Sequence, residues 1–86
     1  MTYDINTIYS RYTQLSKRER CQLLASLQLQ GINIVKIEAY EYKEAPGFKH
    51  LFFYFKNSKT AIPYFMLDKD TWQLIQKEIM KISTEW

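Results

Sequence analysis

The sequence predicts a small α+β domain in which a three-stranded antiparallel meander packs against helices, in the order α-α-β-β-β-α. Apolar residues recur at helical spacing at both ends of the chain and alternate at every second position in its middle third. With 86 residues the chain can build one small core, so we expect a single globular domain over residues 1–86. The segments between the predicted elements are short, which favours antiparallel pairing of successive strands.

The two N-terminal helices are predicted from their caps and apolar faces. Asp4 precedes a segment with one apolar side, so it is the expected N-cap of a first short helix. Ser16 and Glu19 have the spacing of a capping box, so a second helix is expected to begin there. Gly31 tolerates the left-handed backbone that ends many helices. The apolar faces consist of Ile5, Ile8, Tyr9 and Tyr12 in the first helix and Leu23, Leu24 and Leu27 in the second.

Three strands are expected next, separated by two turns. From Ile32 onward apolar and polar residues alternate, which predicts the first strand. A turn at residues 45–47 leads to an aromatic second strand, and a polar turn at residues 56–59 precedes a third strand over about residues 60–67. Pro63 lacks the amide that a central strand needs, so the third strand is expected at an edge of the sheet.

The last segment has the clearest helical pattern in the chain. Its large apolar residues recur every three or four positions, which predicts a helix that packs by one face. Either Asp68 or Asp70 can cap its start, where an acidic side chain also suits the helix dipole. The apolar stripe consists of Trp72, Ile75, Ile79, Ile82 and Trp86.

The composition of each sheet face depends on the hairpin registers, because a shift of one residue moves every side chain to the opposite face. With odd-numbered loops, Tyr40, Phe52 and Tyr64 align across one face, beside a row that contains Tyr54. An even-numbered loop would break this division, and the sequence allows either length. With odd-numbered loops, the face expected to pack against helices holds Val35, Ile37, Ala39, Leu51, Phe53, Phe55 and Phe65.

The residue content argues against most enzyme chemistry. Cys21 is the single cysteine, and we expect it to be a small buried residue. His50 is the single histidine, and we expect it to be a half-exposed strand residue rather than a catalytic base that activates Cys21. No cluster of potential ligands has the spacing of a metal site, and two glycines cannot build a phosphate-binding loop. We therefore expect a protein that is not an enzyme and needs no cofactor.

The sequence also indicates where the protein works. The N-terminal residues lack the basic and then apolar pattern of a signal peptide, and no apolar run approaches the roughly 20 residues of a membrane span. A single cysteine cannot form an internal disulfide, so a cytoplasmic protein is expected. The net charge of +3 and a pI of about 9.0 allow only weak attraction to anions.

Basic residues gather at the predicted start of the second helix. Lys17, Arg18 and Arg20 lie in its first turn, whose free amides also attract anions, so they are candidate contacts to nucleic acid or another anion. A solvent-exposed helix face is the more common role of such a run. The two adjacent helices also suggest a helix-turn-helix, but the second helix has few basic residues beyond its first turn, so the motif is weak.

The aromatic residues of the sheet are the main candidate binding surface. Exposed rings inside a polar rim are typical of a protein interface, and Glu38 and Glu41 beside them would repel phosphate. The leading hypothesis is a small regulator or inhibitor that binds a protein partner through Tyr40, Tyr42, Phe52, Tyr54 and Tyr64. The alternative is binding of single-stranded nucleic acid, in which the same rings stack on bases and the phosphate contacts are Lys36, Lys49 and Lys56.

Other arrangements are open from the sequence alone. If the N-terminal helices covered one sheet face and the last helix the other, the aromatic residues would belong to the core. A self-complementary sheet face or edge strand could instead form a homodimer. The many Lys, Ile and Tyr residues are typical of genes from low-GC bacteria and their phages, which favours an accessory protein of a mobile element.

Overall fold

A computed structural model describes residues 3–45 and 47–83. It contains three α-helices and a three-stranded antiparallel sheet over these residues, so the predicted α+β class and element order are confirmed. A short 3-10 helix, which the sequence did not predict, follows the third strand. The elements are α1 Ile5–Gln14, α2 Lys17–Leu29, β1 Ile34–Glu41, β2 Lys49–Phe55, β3 Ile62–Pro63, the 3-10 helix Tyr64–Met66 and α3 Lys69–Ser83.

The caps predicted for the first two helices are present. The Asp4 carboxylate accepts a hydrogen bond of 3.1 Å from the Asn6 amide at the start of α1. At α2 the Glu19 amide donates to Ser16 Oγ at 3.1 Å, and the Ser16 amide donates to the Glu19 carboxylate at 2.7 Å. Gly31 follows α2 with φ +86°, a conformation that is strained for residues with a side chain.

α3 is capped by Asp68, one of the two residues expected there. The Asp68 carboxylate accepts the Thr71 hydroxyl at 2.6 Å and the Thr71 amide at 3.1 Å. These two hydrogen bonds, the hydroxyl bond foremost, lower the pKa of Asp68. Trp86, the expected end of the apolar stripe, lies outside the described residues. The rest of the stripe faces inward and consists of half-buried Trp72 and buried Ile75, Ile79 and Ile82.

The first hairpin pairs in a register that places Tyr40 opposite His50. The expected alignment of Tyr40 with Phe52 is therefore wrong by two residues. The loop accounts for the shift: the Tyr42 amide still donates across the hairpin to the Phe48 carbonyl at 3.2 Å, so the connection between the strands is longer than the expected tight turn. The loop is odd-numbered, as the predicted division of faces required, so the even-numbered residues of β2 and those of β1 from Lys36 onward share one face.

A β-bulge at Val35 reverses the expected orientation of the start of β1. Ile34 pairs with Phe55 and Lys36 pairs with Tyr54, so Val35 has no residue opposite it. As a result Ile34 is buried and Val35 is 58% exposed, whereas simple alternation predicted Val35 on the core face. The extra residue in β1 interrupts the alternation, so the side chains before it face the opposite way from the prediction. The sequence pattern of β1 alone does not reveal that a bulge is present.

β3 lies at an edge of the sheet, as expected, but is much shorter than the strand predicted over residues 60–67. Phe53 pairs with Ile62, so the second loop is even-numbered and Ile62 shares the core face with Phe53. After Pro63, which has no amide to donate, the chain turns into the 3-10 helix. This turn leaves Phe65 60% exposed, so its predicted place in the core is wrong.

All three helices pack on the same face of the sheet. α1 contacts both long strands, α2 contacts β1, and α3 lies against the other two helices with the Trp72 ring edge-on to Phe53. The arrangement with helices on both faces therefore does not occur within residues 3–45 and 47–83. The shared core consists of Ile8, Tyr12, Leu15, Leu23, Leu27, Ile32, Ile34, Ile37, Leu51, Phe53, Ile75, Ile79 and Ile82.

Candidate functional site

The sheet face opposite the helices is built largely from aromatic side chains. Successive side chains of a strand alternate between faces, so the even-numbered residues of the first hairpin that follow the bulge at Val35 lie on this side. The 3-10 helix adds two more rings at its border. We call this surface the aromatic face, and it consists of Tyr40, Tyr42, Phe48, His50, Phe52, Tyr54, Tyr64 and Phe65.

Neighbouring rings of the aromatic face contact one another. The Tyr40 centroid lies 5.0 Å from that of Tyr42 and 6.5 Å from that of Phe52, both in edge-on geometry. Tyr42 in turn lies 5.9 Å from Phe48. Edge-on pairs stabilise the rings beyond the burial of their area and restrict their orientation. The outer rings are nevertheless open to a partner, because Tyr40 is 45% and Phe48 58% exposed.

Tyr64 connects the aromatic face to the helix layer. Its ring centroid lies 5.4 Å from Trp72 of α3 and 5.9 Å from His50. The side chain is half-buried, so it supports the face more than it presents itself to a partner. The neighbouring ring of Phe65 is the more accessible of the two, at 5.4 Å from Tyr64 and in edge-on geometry.

His50 lies at the centre of the aromatic face and is only 8% exposed, whereas the sequence predicted a half-exposed residue. Neither of its ring nitrogens has a hydrogen-bond partner among the described residues. Buried polar atoms in native proteins are nearly always hydrogen-bonded, so an unpartnered imidazole needs an explanation. The rings that surround it, at centroid distances of 5.1–5.9 Å, are Tyr42, Phe48, Phe52, Tyr64 and Phe65.

A depression of about 590 Å³ opens between the hairpin loop and the 3-10 helix. Its walls are mainly aromatic, and Glu44 is the charged residue among the described residues that line it. The lining consists of Tyr42, Glu44, Ala45, Phe48, His50, Tyr64 and Phe65. We call this depression the aromatic cage.

Of the three lysines predicted to accompany the aromatic face, Lys36 lies beside one of its rings, whereas Lys49 lies on the opposite side of the sheet and Lys56 lies in a turn. The Lys36 ammonium stands 5.1 Å from the Tyr54 ring centroid and 3.8 Å from the Glu38 carboxylate, so its charge is partly neutralised. Lys49 faces the helix layer, where its ammonium lies 5.2 Å from the ring of Tyr9. Lys56 is exposed in the turn after β2.

The basic cluster of α2 belongs to the helix layer, away from the aromatic face. Lys17 and Arg18 are exposed in the first turn of the helix. Arg20 is half-buried: its guanidinium lies 4.5 Å above the Tyr12 ring and donates to the Thr13 carbonyl at 3.3 Å. The cluster predicted as one anion-binding unit is thus divided, because Arg20 makes contacts within the fold.

The chain's potential nucleophile and base are not brought together. Cys21 is exposed on α2, not buried as expected, and α2 packs on the sheet face opposite His50. The two side chains therefore lie on different sides of the sheet. Among the described residues, no group of three or more His, Cys, Asp or Glu could hold a metal ion.

A second groove lies along α3, beside the N-terminal segment. Leu74 and Met80, which fall off the main stripe of this helix, line it together with Tyr3, Asp70, Gln73, Lys77 and Lys81. The Tyr3 amide donates to the buried Gln76 side chain at 2.8 Å and holds the N-terminal segment there. The groove mixes acidic and basic side chains, so its charge does not favour one class of ligand.

Comparison of the chain with protein-family models, with curated proteins and with solved structures finds no match. Over the described residues, no helix has the length and apolarity needed to cross a membrane.

The sequence predicted much of this face, but it gave the wrong burial for His50 at the centre. Tyr40, Tyr42, Phe52 and Tyr54 are on the predicted face. The same alternation also placed Phe48 and His50 there, and the cluster of rings around the histidine was the signal for its burial. The sequence carried no clear signal for the other two residues of the cage. Phe65 reaches it because of the 3-10 helix, and Glu44 reaches it because of the shape of the hairpin loop.

Proposed function

We propose that this chain is a small non-enzymatic binding module, an accessory or inhibitory protein of bacterial or phage type, that docks a protein partner on its aromatic face. One observation carries the proposal. All three helices pack on the other side of the sheet, and within the described residues nothing covers these aromatic rings.

The composition of the face supports a protein partner in particular. Tyrosine and phenylalanine are enriched at the centre of protein interfaces, where a few aromatic residues contribute most of the binding energy. The most exposed rings, those of Phe48 and Phe65, flank the buried centre at His50, so a partner would bury them first. Contiguous exposed apolar surface of this kind commonly marks an interaction site.

The charges around the face support a protein partner over single-stranded nucleic acid. A stacking platform needs cations along the path of the phosphates. Here Lys36 is paired with Glu38, and Lys49 is turned toward Tyr9 on the other side of the sheet. Glu44 also lies beside the rings, where it would repel a phosphate backbone.

The experiment that tests the proposal compares a face variant with a control variant that loses an exposed apolar side chain in the helix layer, away from the face. The face variant combines Tyr40→Ala with Phe48→Ala, and the control is Leu29→Ala on α2, where the leucine is 89% exposed. Tagged proteins are used to capture partners from the native host, and each captured protein is then purified and titrated by calorimetry. We expect the face variant to bind at least about tenfold more weakly and the control to bind like the wild type.

Equal binding by the face variant, with an unchanged thermal unfolding curve, would refute the aromatic face as the docking surface. Fluorescence anisotropy with labelled single-stranded DNA and RNA tests the other class of partner. Micromolar binding that weakens steeply with salt and is lost in Tyr54→Ala would replace the protein partner by a nucleic acid. Light scattering that gives a dimer in the wild type and a monomer in the face variant would make the partner a second copy of this chain.

A further inference from the structure

The aromatic cage combines three features that recognise one kind of ligand. Its walls are the rings of Tyr42, Phe48, Tyr64 and Phe65, whose faces carry partial negative charge. Glu44 adds a full negative charge, and the described lining contains no basic residue. Aromatic walls with a carboxylate at their edge attract a cation and offer little to an anion.

His50 is the independent observation that points to a ligand. Its side chain contributes to the lining of the cage, is only 8% exposed and leaves both ring nitrogens without a hydrogen-bond partner among the described residues. A neutral imidazole has one nitrogen that donates and one that accepts. The accepting nitrogen can be satisfied by an N–H group that enters between the exposed rings of Phe48 and Phe65.

We propose that the aromatic cage receives an arginine side chain of the protein partner. This inference rests on the proposed function, since the arginine belongs to a protein that docks on the aromatic face. The guanidinium is planar and stacks on aromatic rings, and its five N–H groups can reach a carboxylate and an imidazole together. An ammonium group is compact, strongly hydrated and without a planar surface, so lysine fits the same walls less well.

The molecule already contains a pair of the proposed type. The Arg20 guanidinium lies 4.5 Å above the Tyr12 ring, closer than the ammonium groups of Lys36 and Lys49 lie to their tyrosines, at 5.1 Å and 5.2 Å. These contacts are intramolecular and leave the cage open. The Arg20 contact is an example, within this fold, of a guanidinium over a tyrosine ring.

The test is an NMR titration of the whole chain with the capped pentapeptide Gly-Gly-Arg-Gly-Gly. The matched peptide carries citrulline in place of arginine, which keeps the shape of the side chain and removes its charge. We expect saturable shifts at Phe48, His50 and Phe65 with the arginine peptide, and binding about three- to tenfold weaker with the citrulline peptide. A lysine peptide that binds more tightly than the arginine peptide would overturn the assignment to arginine.

Variants of the chain locate the charge that recognises the peptide. We expect Glu44→Gln to weaken binding of the arginine peptide about threefold or more, because it removes the carboxylate of the cage. The control is Glu41→Gln, since Glu41 carries the same charge at the end of β1 but lies on the opposite face. If the two variants weakened binding equally, the peptide would be held only by the general negative charge of the region, and the proposed arginine site would be wrong.

The two proposals fail in different experiments. If partner binding is lost in the Tyr40→Ala and Phe48→Ala variant while the arginine peptide gives no saturable shift, the docking face stands and the cage is wrong. If the arginine peptide binds with the expected selectivity while the same variant keeps its full affinity for the purified partner, the cage stands as a cation site and the docking face is wrong.

Discussion

The hydroxyl of Tyr12 donates a buried hydrogen bond of 3.1 Å to the carbonyl oxygen of Ile37, which ties α1 to the edge of the sheet. The Tyr42 amide bonds to Phe48, so from Lys36 onward the even-numbered residues of β1 bond to β2 and the odd-numbered ones direct their backbone groups outward. The Ile37 carbonyl is therefore an outward-facing group of the edge strand. Tyr12 satisfies it and so hinders the addition of another strand at this point.

The Tyr12 bond predicts a measurable loss of stability in Tyr12→Phe. The substitution keeps the ring in the core and leaves the Ile37 carbonyl without its partner, so we expect the free energy of unfolding to fall by about 1 kcal/mol. Urea denaturation followed by circular dichroism measures the change. Tyr9→Phe removes a hydroxyl from a half-buried tyrosine of the same helix and serves as the control. A loss of equal size in both variants would contradict this role for Tyr12.

The stability of the protein should also fall at high pH because of Tyr12. Burial raises the pKa of Tyr12 above its ordinary value of 10.0, although the guanidinium of Arg20 beside the ring acts in the opposite direction. The folded protein holds this proton more tightly than the unfolded chain does. The resulting stabilisation is therefore complete below pH 10.0 and is lost as the pH rises through the folded-state pKa.

Urea denaturation at a series of pH values above neutrality measures this effect. We expect the wild type to lose stability more steeply than Tyr12→Phe once the pH exceeds the ordinary tyrosine value. The other tyrosines are present in both proteins, so they cancel in the difference. Parallel curves for the two proteins would show that Tyr12 titrates alike in the folded and unfolded states.

The bulge at Val35 predicts opposite outcomes for two neighbouring residues. Ile34 lies in the core, so Ile34→Ala should reduce the free energy of unfolding by about 2–5 kcal/mol. Val35 has no residue opposite it and is largely exposed, so Val35→Ala should change the free energy by less than about 0.5 kcal/mol. Thermal or urea unfolding distinguishes the cases. A larger loss in the Val35 variant would mean that β1 has regular alternation without the bulge.

A buried glutamate links the last two helices. The Glu78 carboxylate accepts hydrogen bonds from Gln30 at 2.8 Å and from Ser26 at 3.1 Å, both across the interface between α2 and α3. Glu78→Ala removes both bonds, so we expect a loss of about 1–3 kcal/mol in the free energy of unfolding. Lys77→Ala, at an exposed neighbouring position, should change it little. Similar losses in the two variants would point to an effect on helix α3 itself.

The unpartnered imidazole of His50 predicts a gain of stability from an apolar substitution. His50→Phe replaces a buried ring whose nitrogens have no partner among the residues that the structure describes by a ring that makes the same contacts and needs no hydrogen bond. We expect the free energy of unfolding to rise by about 1 kcal/mol, and binding of the arginine peptide to weaken because the accepting nitrogen is gone. His50→Gln keeps a polar group and should give no gain. A His50→Phe variant less stable than the wild type would mean that the imidazole has a role in the fold itself.

Local interactions made much of this fold predictable from the sequence. The caps at Asp4 and Ser16, the turn after α2 at Gly31 and the apolar stripe of α3 involve residues close together in the chain. Their physical effects do not depend on distant contacts. The alternation of β2 likewise predicted that Phe52 and Tyr54 share a face.

Only the tertiary structure decided the details of the sheet and the state of its aromatic face. The bulge at Val35, the shifted register of Tyr40 and the 3-10 helix that exposes Phe65 depend on how one strand meets another. The sequence alone determined that this chain is an α+β protein with an aromatic sheet. Packing decided that the helices share one face, that the rings stay open on the other and that they enclose His50, because burial depends on neighbours distant in the chain.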